Sequence, residues 1–239
     1  SVLAAYAFGR IGTTVRLDFL VAFFVGSVLI LVGGYLDDKY SLSARRQIIF
    51  PLLAAVIMTI SGIGPRIITN PLGGTISLAW TADVFTFLWL MGMMFTTKFL
   101  DGLDGLVTGV VAIGAGMIGL LSLQPAWFDP EVALLSWVLG GAALGFLVWN
   151  WHPASMFLGE GGSLWTGFAL GMLGILSHGK IATTFLVVGI PMLDVARVIL
   201  RRWQKNRPLA EGDNEHLHYR LLASGLSQRQ TVLLFYTIS

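Results

Sequence analysis

The sequence predicts an all-α fold, a polytopic transmembrane helical bundle of about seven full spans with partial spans at both ends. The 239 residues are 55% hydrophobic and only 12% charged, whereas a soluble domain carries roughly twice that charged fraction. The apolar residues also come in long blocks without the alternation of barrel strands. Only helices and closed barrels satisfy their backbone groups in a bilayer, so these blocks predict helices.

The positions of the spans follow from the thickness of the hydrocarbon layer, which requires roughly 17–25 apolar residues for each helix. The candidate spans are 19–36, 47–62, 84–98, 105–123, 132–150, 163–177 and 180–200, and an eighth begins near Thr231. The stretch 1–12 is either the tail of an earlier span or a surface helix. The glycine pairs Gly141–Gly145 and Gly167–Gly171 predict close packing between membrane helices.

We predict a single integral-membrane domain over residues 1–239, truncated at both ends because the chain begins and stops inside apolar sequence. Ser1 leads directly into apolar residues, so no signal peptide is predicted. The chain has no cysteine, which excludes disulfides and cysteine-based metal or redox sites. A net charge of +2, without a run of like charges, argues against nucleic acid as a partner.

Lysine and arginine predict which loops face the cytoplasm. Most of them lie in one set of loops, at 37–46, 97–105, 150–162 and 201–230. The alternate set, which includes loop 63–83, holds only Arg10, Arg16, Arg66 and Lys180. Because cytoplasmic loops carry the excess of basic residues, the first set is predicted to be cytoplasmic in a multi-pass protein of the cell membrane. The prolines and glycines of loop 63–83 predict an external turn or small hairpin.

The unusual polar clusters all fall in the predicted cytoplasmic loops, although charge and span length alone assign those loops. The clusters are Asp37-Asp38, "TKFLDGLDG" (97–105), "WNWHPASMFLGEGGS" (149–163) and "GDNEHLHYR" (212–220). We therefore expect four loops to converge on one cytoplasmic face.

Two pairs of aspartates have both an ordinary and a functional interpretation. One carboxylate at a helix end is ordinary polarity, but Asp37 and Asp38 together repel each other at a negative helix terminus and require a nearby cation. Asp101 and Asp104 share a face if helical. The glycines between them suit a tight turn with exposed N–H groups for a phosphate or nucleobase. The alternative is the glycine-rich start of a helix.

The remaining clusters are equally open to two interpretations. Glu160 suits the N-terminus of a helix, while its flanking glycines suit close backbone approach by a ligand. His216 and His218 would diverge by about 200° on a helix, whereas His216 and Arg220 would share a face and grip a phosphate. Exposed histidines are otherwise simply solvated. This set of carboxylates, histidines and basic residues favours Mg²⁺ and a nucleotide-type substrate.

Five segments in order resemble the polyprenyl-phosphate N-acetylhexosamine-1-phosphate transferase family, glycosyltransferase family 4. They are "GYLDDKYSLSARRQ", "FLDGLDGLVTG", "WNWHPASMFLGEGGSLWTGFALG", "PMLDVARVILRR" and "EHLHYRLLASGLSQRQ". The last is similar to the branch that transfers N-acetylglucosamine-1-phosphate (GlcNAc-1-phosphate) to undecaprenyl phosphate. The resemblance implies transfer of this group from a UDP-sugar to polyprenyl phosphate, with release of UMP, for cell-wall or surface polysaccharide synthesis. A homodimer is also expected.

The resemblance also implies roles for residues that match the family motifs. Asp37 and Asp38 activate or place the lipid phosphate. The implied catalytic residues are Asp37, Asp38, Asp101, His216 and His218. The implied substrate contacts are Lys98, Gly102, Leu103, Asp104, Asn150, Phe157 and Arg220, with uridine seated by Phe157 and the 101–105 turn. Glu160 and Asp101 are the implied ligands of Mg²⁺, for which Mn²⁺ can substitute.

Three positions depart from the family pattern. Glu160 stands in place of an aspartate, Lys98 in place of the usual asparagine, and Tyr219 in place of the last histidine of HxHH. A lysine beside the metal and diphosphate either does part of the cation's work or repels the cation. Two other hypotheses therefore stay open. One is an ion-coupled transporter, in which intramembrane carboxylates also occur, and the other is a binding relative that has lost its metal site.

Overall fold

The structure, a computed structural model, describes residues 16–65, 67–69, 75–77, 81–177, 181–204 and 216–239. Its helices are α1 (Leu17–Tyr40), α2 (Ala44–Gln47), α3 (Ile49–Ile60), α4 (Thr81–Leu100), α5 (Leu106–Ser122), α6 (Pro130–Asn150), α7 (Gly159–Leu176), α8 (Ile181–Gln204), α9 (Leu217–Ala223) and α10 (Gln228–Ile238). A short 3₁₀ turn, Pro125–Trp127, precedes α6. The predicted helical bundle is confirmed, while the stretch 1–12 lies outside the described residues.

A small hairpin interrupts the helices where loop 63–83 predicts one. Its strands are β1 (Ile67–Thr69) and β2 (Thr75–Ser77), which pair antiparallel with Ile68 opposite Ile76. The side of the membrane on which this hairpin lies stays a prediction.

Three helices in the described part of the chain, α1, α4 and α6, are long and apolar enough to cross a membrane. Helix α5 is also apolar but shorter. Large apolar side chains such as Phe24, Leu88 and Val148 are exposed on the outer faces, as expected for surfaces that meet lipid rather than water. The structure is thus that of a membrane protein, and the total of about seven crossings stays a prediction.

Helix α7 is the centre of the bundle. It packs against α1, α4, α5, α6 and α8, and every residue from Ser163 to Leu176 except Trp165 is buried. Phe168 is fully buried and stacks on Phe23 of α1, with 5.3 Å between ring centroids. Because α7 is apolar on all its faces, it packs inside the bundle, and this explains its central position.

The contact between α1 and α7 depends on two glycines. A Cβ atom at Gly34 would overlap the backbone N and Cα atoms of Gly161, so the two helices approach as closely as their backbones allow. Gly34 lies one turn before Asp37, and Gly161 directly follows Glu160. The contact therefore brings the C-terminal carboxylates of α1 to the N-terminus of α7.

The predicted glycine pairs have different outcomes. Gly167 and Gly171 face α4 at short range, and the Trp89 indole N–H donates to the Gly171 carbonyl at 3.0 Å. This prediction of close helix packing is confirmed. Within the described residues, however, no atom other than the nearby backbone of their own helix lies within 4 Å of a Cβ built on Gly141 or Gly145, so that pair makes no contact with another helix there.

Replacing Gly34 by alanine should separate α1 from α7. We expect Gly34→Ala to destabilise the protein by about 1–3 kcal/mol through overpacking, measured as a lower Tm of the detergent-purified protein. Gly141→Ala is the matched control, since it adds the same methyl group to a helix where nothing crowds it. It should leave the Tm unchanged or raise it slightly. Equal shifts in both variants would contradict the packing role of Gly34.

Candidate active site

The C-terminal end of α1 is built around Asp37. Its Oδ1 atom accepts hydrogen bonds from the Leu42 backbone N–H at 2.8 Å and from Gln47 Nε2 at 3.0 Å. Ser41, with φ of 49°, ends the helix and donates its N–H to the Asp37 carbonyl at 2.8 Å. These bonds fix the turn into α2 and orient the Asp37 carboxylate.

Asp38 reaches across to the N-terminus of α7. The Glu160 backbone N–H donates to Asp38 Oδ1 at 3.4 Å, a long bond, and a Cβ at Gly159 would lie 2.8 Å from Asp38 Oδ2. The first N–H groups of a helix lack partners within it and carry partial positive charge. A carboxylate that is unfavourable at the end of its own helix is therefore stabilised by the start of another.

Lys98, in the last turn of α4, lies between these two helix ends. Its ammonium group forms an ion pair with the Glu160 carboxylate and donates to Gln47 Oε1 at 3.2 Å. Gln47 also binds Asp37, so continuous contacts connect Asp37 with Glu160. The charged side chains are mostly buried, at 18% exposure for Lys98 and 19% for Glu160, and salt screens such a pair only weakly.

Asp101 opens the tight turn 101–105 between α4 and α5. Burial, followed by the negative charges of Glu160 and Asp104, raises the pKa of its carboxyl from 3.8 to about 7. Desolvation and like charges both disfavour the ionised form. Asp101 and Glu160, the two predicted metal ligands, therefore lie close enough to affect each other's charge.

Asp104 attaches the turn to the loop after α6. Its Oδ2 atom accepts the Ala154 backbone N–H at 3.1 Å and lies 2.7 Å from His152 Nδ1. The sequence alone does not single out His152, although this residue stands in the motif "WNWHPASMFLGEGGS". A single histidine in a loop gave no sign of a partner 48 residues earlier.

Asn150, the last residue of α6, joins the same two segments from inside. Its side-chain oxygen accepts hydrogen bonds from the Gly105 N–H at 3.1 Å and the Thr108 hydroxyl at 2.9 Å. Its Nδ2 atom donates to the Met156 carbonyl at 2.9 Å. Asn150 is buried and positions the turn against the loop, while its predicted contact with substrate stays a prediction.

His216 and His218 lie stacked against the turn. Their rings are 3° from parallel with centroids 5.6 Å apart, so the divergence expected if both lay on a helix does not occur. His216 precedes α9 with extended backbone (φ −62°, ψ 149°), and helical spacing therefore does not apply. A Cβ at Gly102 would lie 2.7 Å from both His218 Nε2 and the Tyr219 hydroxyl, which shows how closely the two segments meet.

Asp194 of α8 holds this histidine segment. Its carboxylate accepts the Leu217 N–H at 2.8 Å, lies 3.1 Å from His216 Nδ1 and pairs with Arg197. This aspartate stands in the segment "PMLDVARVILRR", but the sequence alone does not single it out. An aspartate three residues before an arginine is an ordinary helix pair, and only the fold reveals its second partner.

The C-terminal helix α10 supports the site from the side. The Arg229 guanidinium donates to the His152 carbonyl at 3.1 and 2.9 Å. The Tyr236 hydroxyl donates to the Gly105 carbonyl at 2.5 Å. In the sequence, Arg229 is one of the basic residues of loop 201–230 that indicate topology, and Tyr236 in an apolar helix has the pattern of a packing residue, so neither one stands out as part of a site.

Three further predicted substrate residues differ in exposure. Leu103 is buried, whereas Arg220 is exposed and Phe157 is 72% exposed. Phe157 lies in the loop between the segment held by Asp104 and the start of α7. An exposed ring there offers a surface for stacking, and the roles of all three residues in binding stay predictions.

An apolar helical bundle with ionisable side chains at one end defines a membrane protein with a polar site at the edge of its helices. Residues 20–178 match the family model described as glycosyl transferase family 4, and the chain belongs to that family. It is 35% identical over 226 residues to the "Probable undecaprenyl-phosphate N-acetylglucosaminyl 1-phosphate transferase" of Bacillus subtilis. That alignment covers 92% of this chain and 63% of the relative.

Two other relatives carry related names. The decaprenyl-phosphate N-acetylglucosaminephosphotransferase of Mycobacterium leprae is 33% identical over 242 residues, covering 90% of this chain and 61% of the relative. The phospho-N-acetylmuramoyl-pentapeptide-transferase of Halalkalibacterium halodurans is 29% identical, with 88% and 69% covered. The chain thus spans about three-fifths of the length of the first two relatives, at 63% and 61%.

The buried His218 predicts a pH-dependent stability. Burial, followed by the charge of His216, lowers the pKa of the imidazole from 6.5 to about 4, while Asp194 opposes the shift. Above pH 6.5 the residue is neutral in both folded and unfolded chains. Between about 6.5 and about 4 the unfolded chain binds a proton that the folded chain does not, so the free energy of unfolding falls as the pH falls.

His218→Gln should therefore flatten the acid side of the stability profile. We expect the Tm of the wild type to fall more steeply than that of the variant as the pH is lowered from about 7 to about 5. Thermal unfolding in detergent at a series of pH values measures this slope. Parallel profiles for the two proteins would show that His218 does not cause it.

Proposed function

We propose that this chain carries the active site of a transferase that moves GlcNAc-1-phosphate from UDP-GlcNAc to polyprenyl phosphate and releases UMP. The observation that carries the proposal is the convergence of separate segments at one end of the bundle. These are the end of α1, the 101–105 turn, the loop after α6, the start of α7 and residues 216–219. A site where helices meet water can receive a lipid from the bilayer and a nucleotide from solution.

We place this site on the cytoplasmic face of a multi-pass protein of the cell membrane, in a single domain of about seven spans. The exposed Arg45 and Arg46 support this orientation, because they lie at the same end of the bundle as the site and cytoplasmic loops carry the excess of basic residues. A homodimer in the membrane is part of this proposal.

The proposed reaction is a direct displacement. A phosphate oxygen of the lipid attacks the β-phosphorus of the UDP-sugar, and a new P–O bond forms there. The bond from the β-phosphorus to the bridging oxygen breaks, and that oxygen leaves with UMP. Positioning and charge stabilisation dominate phosphoryl transfer, so the protein needs to supply little covalent chemistry.

The side chains divide these tasks according to where they lie. Asp38, close to the first N–H groups of α7, accepts a proton from the lipid phosphate or orients it, with Asp37 fixed beside it. His216 and Arg220 help to neutralise the diphosphate, and His218 lies beside them as a neutral imidazole that can hydrogen-bond to it. The exposed ring of Phe157 stacks on uracil, and the 101–105 turn, with Gly102, Leu103 and Asp104, seats the uridine.

The family resemblance implies Mg²⁺, or Mn²⁺ in its place, on Glu160 and Asp101. The arrangement of the residues does not fit that ion, because Lys98 is paired with the Glu160 carboxylate. Across the described residues there is also no group of three or more histidine, aspartate or glutamate side chains placed to hold a metal. The proposed reaction therefore contains no step through a metal.

A binding relative that has lost catalysis is the second candidate, and the Lys98–Glu160 pair is the observation that favours it. An ion-coupled transporter is less well supported. Transporters place their carboxylates near the middle of the membrane, whereas Asp37 and Asp38 lie in the last turn of α1.

The transferase proposal predicts exchange of radiolabelled UMP into UDP-GlcNAc by membranes that contain the full chain. Asp38→Asn should lower the rate at least about 100-fold, since it removes a general base. Asp83→Asn is the matched control, because Asp83 is an exposed aspartate in the first turn of α4, at the far end of that helix. Its exchange rate should equal that of the wild type.

Two results would contradict the proposal in different ways. If Asp38→Asn exchanges UMP at the wild-type rate, the role assigned to Asp38 is contradicted, while the proposed transfer reaction still stands. Absence of exchange in the wild type, with and without added Mg²⁺, while the chain still binds UDP-GlcNAc in calorimetry, would favour the binding relative.

A further inference from the structure

Lys98 is the cation of a carboxylate cluster that we define as Asp37, Asp38, Asp101 and Glu160. It pairs directly with Glu160 and reaches Asp37 through Gln47. The Phe95 ring centroid lies 5.9 Å from its ammonium group and adds a further favourable contact. Neighbouring carboxylates repel one another, most strongly where they are partly removed from water, and Lys98 supplies a positive charge among them.

Two of the three departures from the family pattern touch each other. Lys98 stands where the family has asparagine and Glu160 where it has aspartate, and these two side chains form the ion pair. The glutamate arm is longer than an aspartate by one methylene group and reaches a lysine on the neighbouring helix. Both departures thus have one physical explanation, a salt bridge across the α4–α7 contact.

The geometry leaves the lysine able to bind a substrate. An ammonium group has three N–H donors, and within the described part of the chain one of them is bonded to Gln47 Oε1 while the ammonium pairs by charge with the Glu160 carboxylate. The Lys98 side chain is 18% exposed, so water or an anion can reach it. The ammonium therefore keeps donor capacity for a phosphate oxygen.

We propose that the Lys98 ammonium is a built-in cation that takes the place of a divalent metal at this site and binds a diphosphate oxygen of the substrate. Gln47 and Glu160 hold the ammonium in position. This inference rests on the proposed function for the identity of the diphosphate. Lys98 itself disfavours a divalent ion at this site, since its charge repels a second cation.

The first experiment measures Mn²⁺ binding to the full chain in detergent by electron paramagnetic resonance, without any substrate. Wild-type protein should bind Mn²⁺ at least about tenfold more weakly than the double variant Lys98→Asn, Glu160→Asp, which removes the positive charge and leaves the carboxylates. Lys39→Met is the matched control. Lys39 is an exposed lysine on α1 that lies over the Tyr35 and Tyr40 rings at 5.7 and 5.2 Å, so its loss should leave Mn²⁺ affinity at the wild-type value.

The second experiment measures UMP exchange in excess chelator. Wild type and Lys39→Met should remain active, Lys98→Met should lose at least about 100-fold, and the double variant should require added Mg²⁺ or Mn²⁺. Exchange by the wild type that needs a divalent ion would overturn the inference. Tm values of each variant, compared with the wild type, identify any variant that fails to fold.

The two experiments separate the inference from the proposed function. If no protein exchanges UMP under any condition, the transferase proposal fails and the Mn²⁺ titration still decides the role of Lys98. Weak wild-type binding that strengthens in the double variant supports a built-in cation. Equal or tighter Mn²⁺ binding by the wild type overturns it, whatever the enzyme activity.

Discussion

The closeness of α1 and α7 at Gly34 and Gly161 is the constraint on which the rest of the site depends. With no side chain between them, the two backbones come into contact. The end of one helix then meets the beginning of the other, and Asp38 reaches the first N–H groups of α7. The glycines that flank Glu160 suit close approach by a ligand, but Gly161 packs against α1, because only glycine permits so short a distance between the two helices.

The bundle concentrates negative charge at one end and balances it by three different physical means. The N-terminus of α7 lies against Asp38, the ammonium of Lys98 pairs with Glu160, and burial favours the protonated form of Asp101. Each means acts on a different carboxylate. The carboxylates therefore lie close together without strong mutual repulsion.

The sequence predicts the helices and the convergence of its motifs, because long apolar blocks and the lysine–arginine bias follow from the physics of the bilayer. It did not predict the residues that hold the site together. Gln47, Asp194 and Arg229 each have an ordinary explanation nearby in the sequence. Their decisive partners are distant: Lys98 lies 51 residues from Gln47, His216 lies 22 from Asp194, and His152 lies 77 from Arg229. The relation of the two histidines was also beyond prediction, because it depends on where α9 begins.

The attachment of α10 has a consequence for how the protein is made. The Gly105 carbonyl of the 101–105 turn accepts a hydrogen bond from Tyr236, which lies 131 residues later in the chain. The His152 carbonyl of the loop after α6 accepts hydrogen bonds from Arg229, which lies 77 residues later. The ribosome therefore adds both donor residues long after their partners. Helices α1 to α7 are synthesised first and are able to pack before α10 exists. A nascent chain that has inserted its early helices therefore still lacks the contacts that α10 makes with the 101–105 turn and the loop after α6.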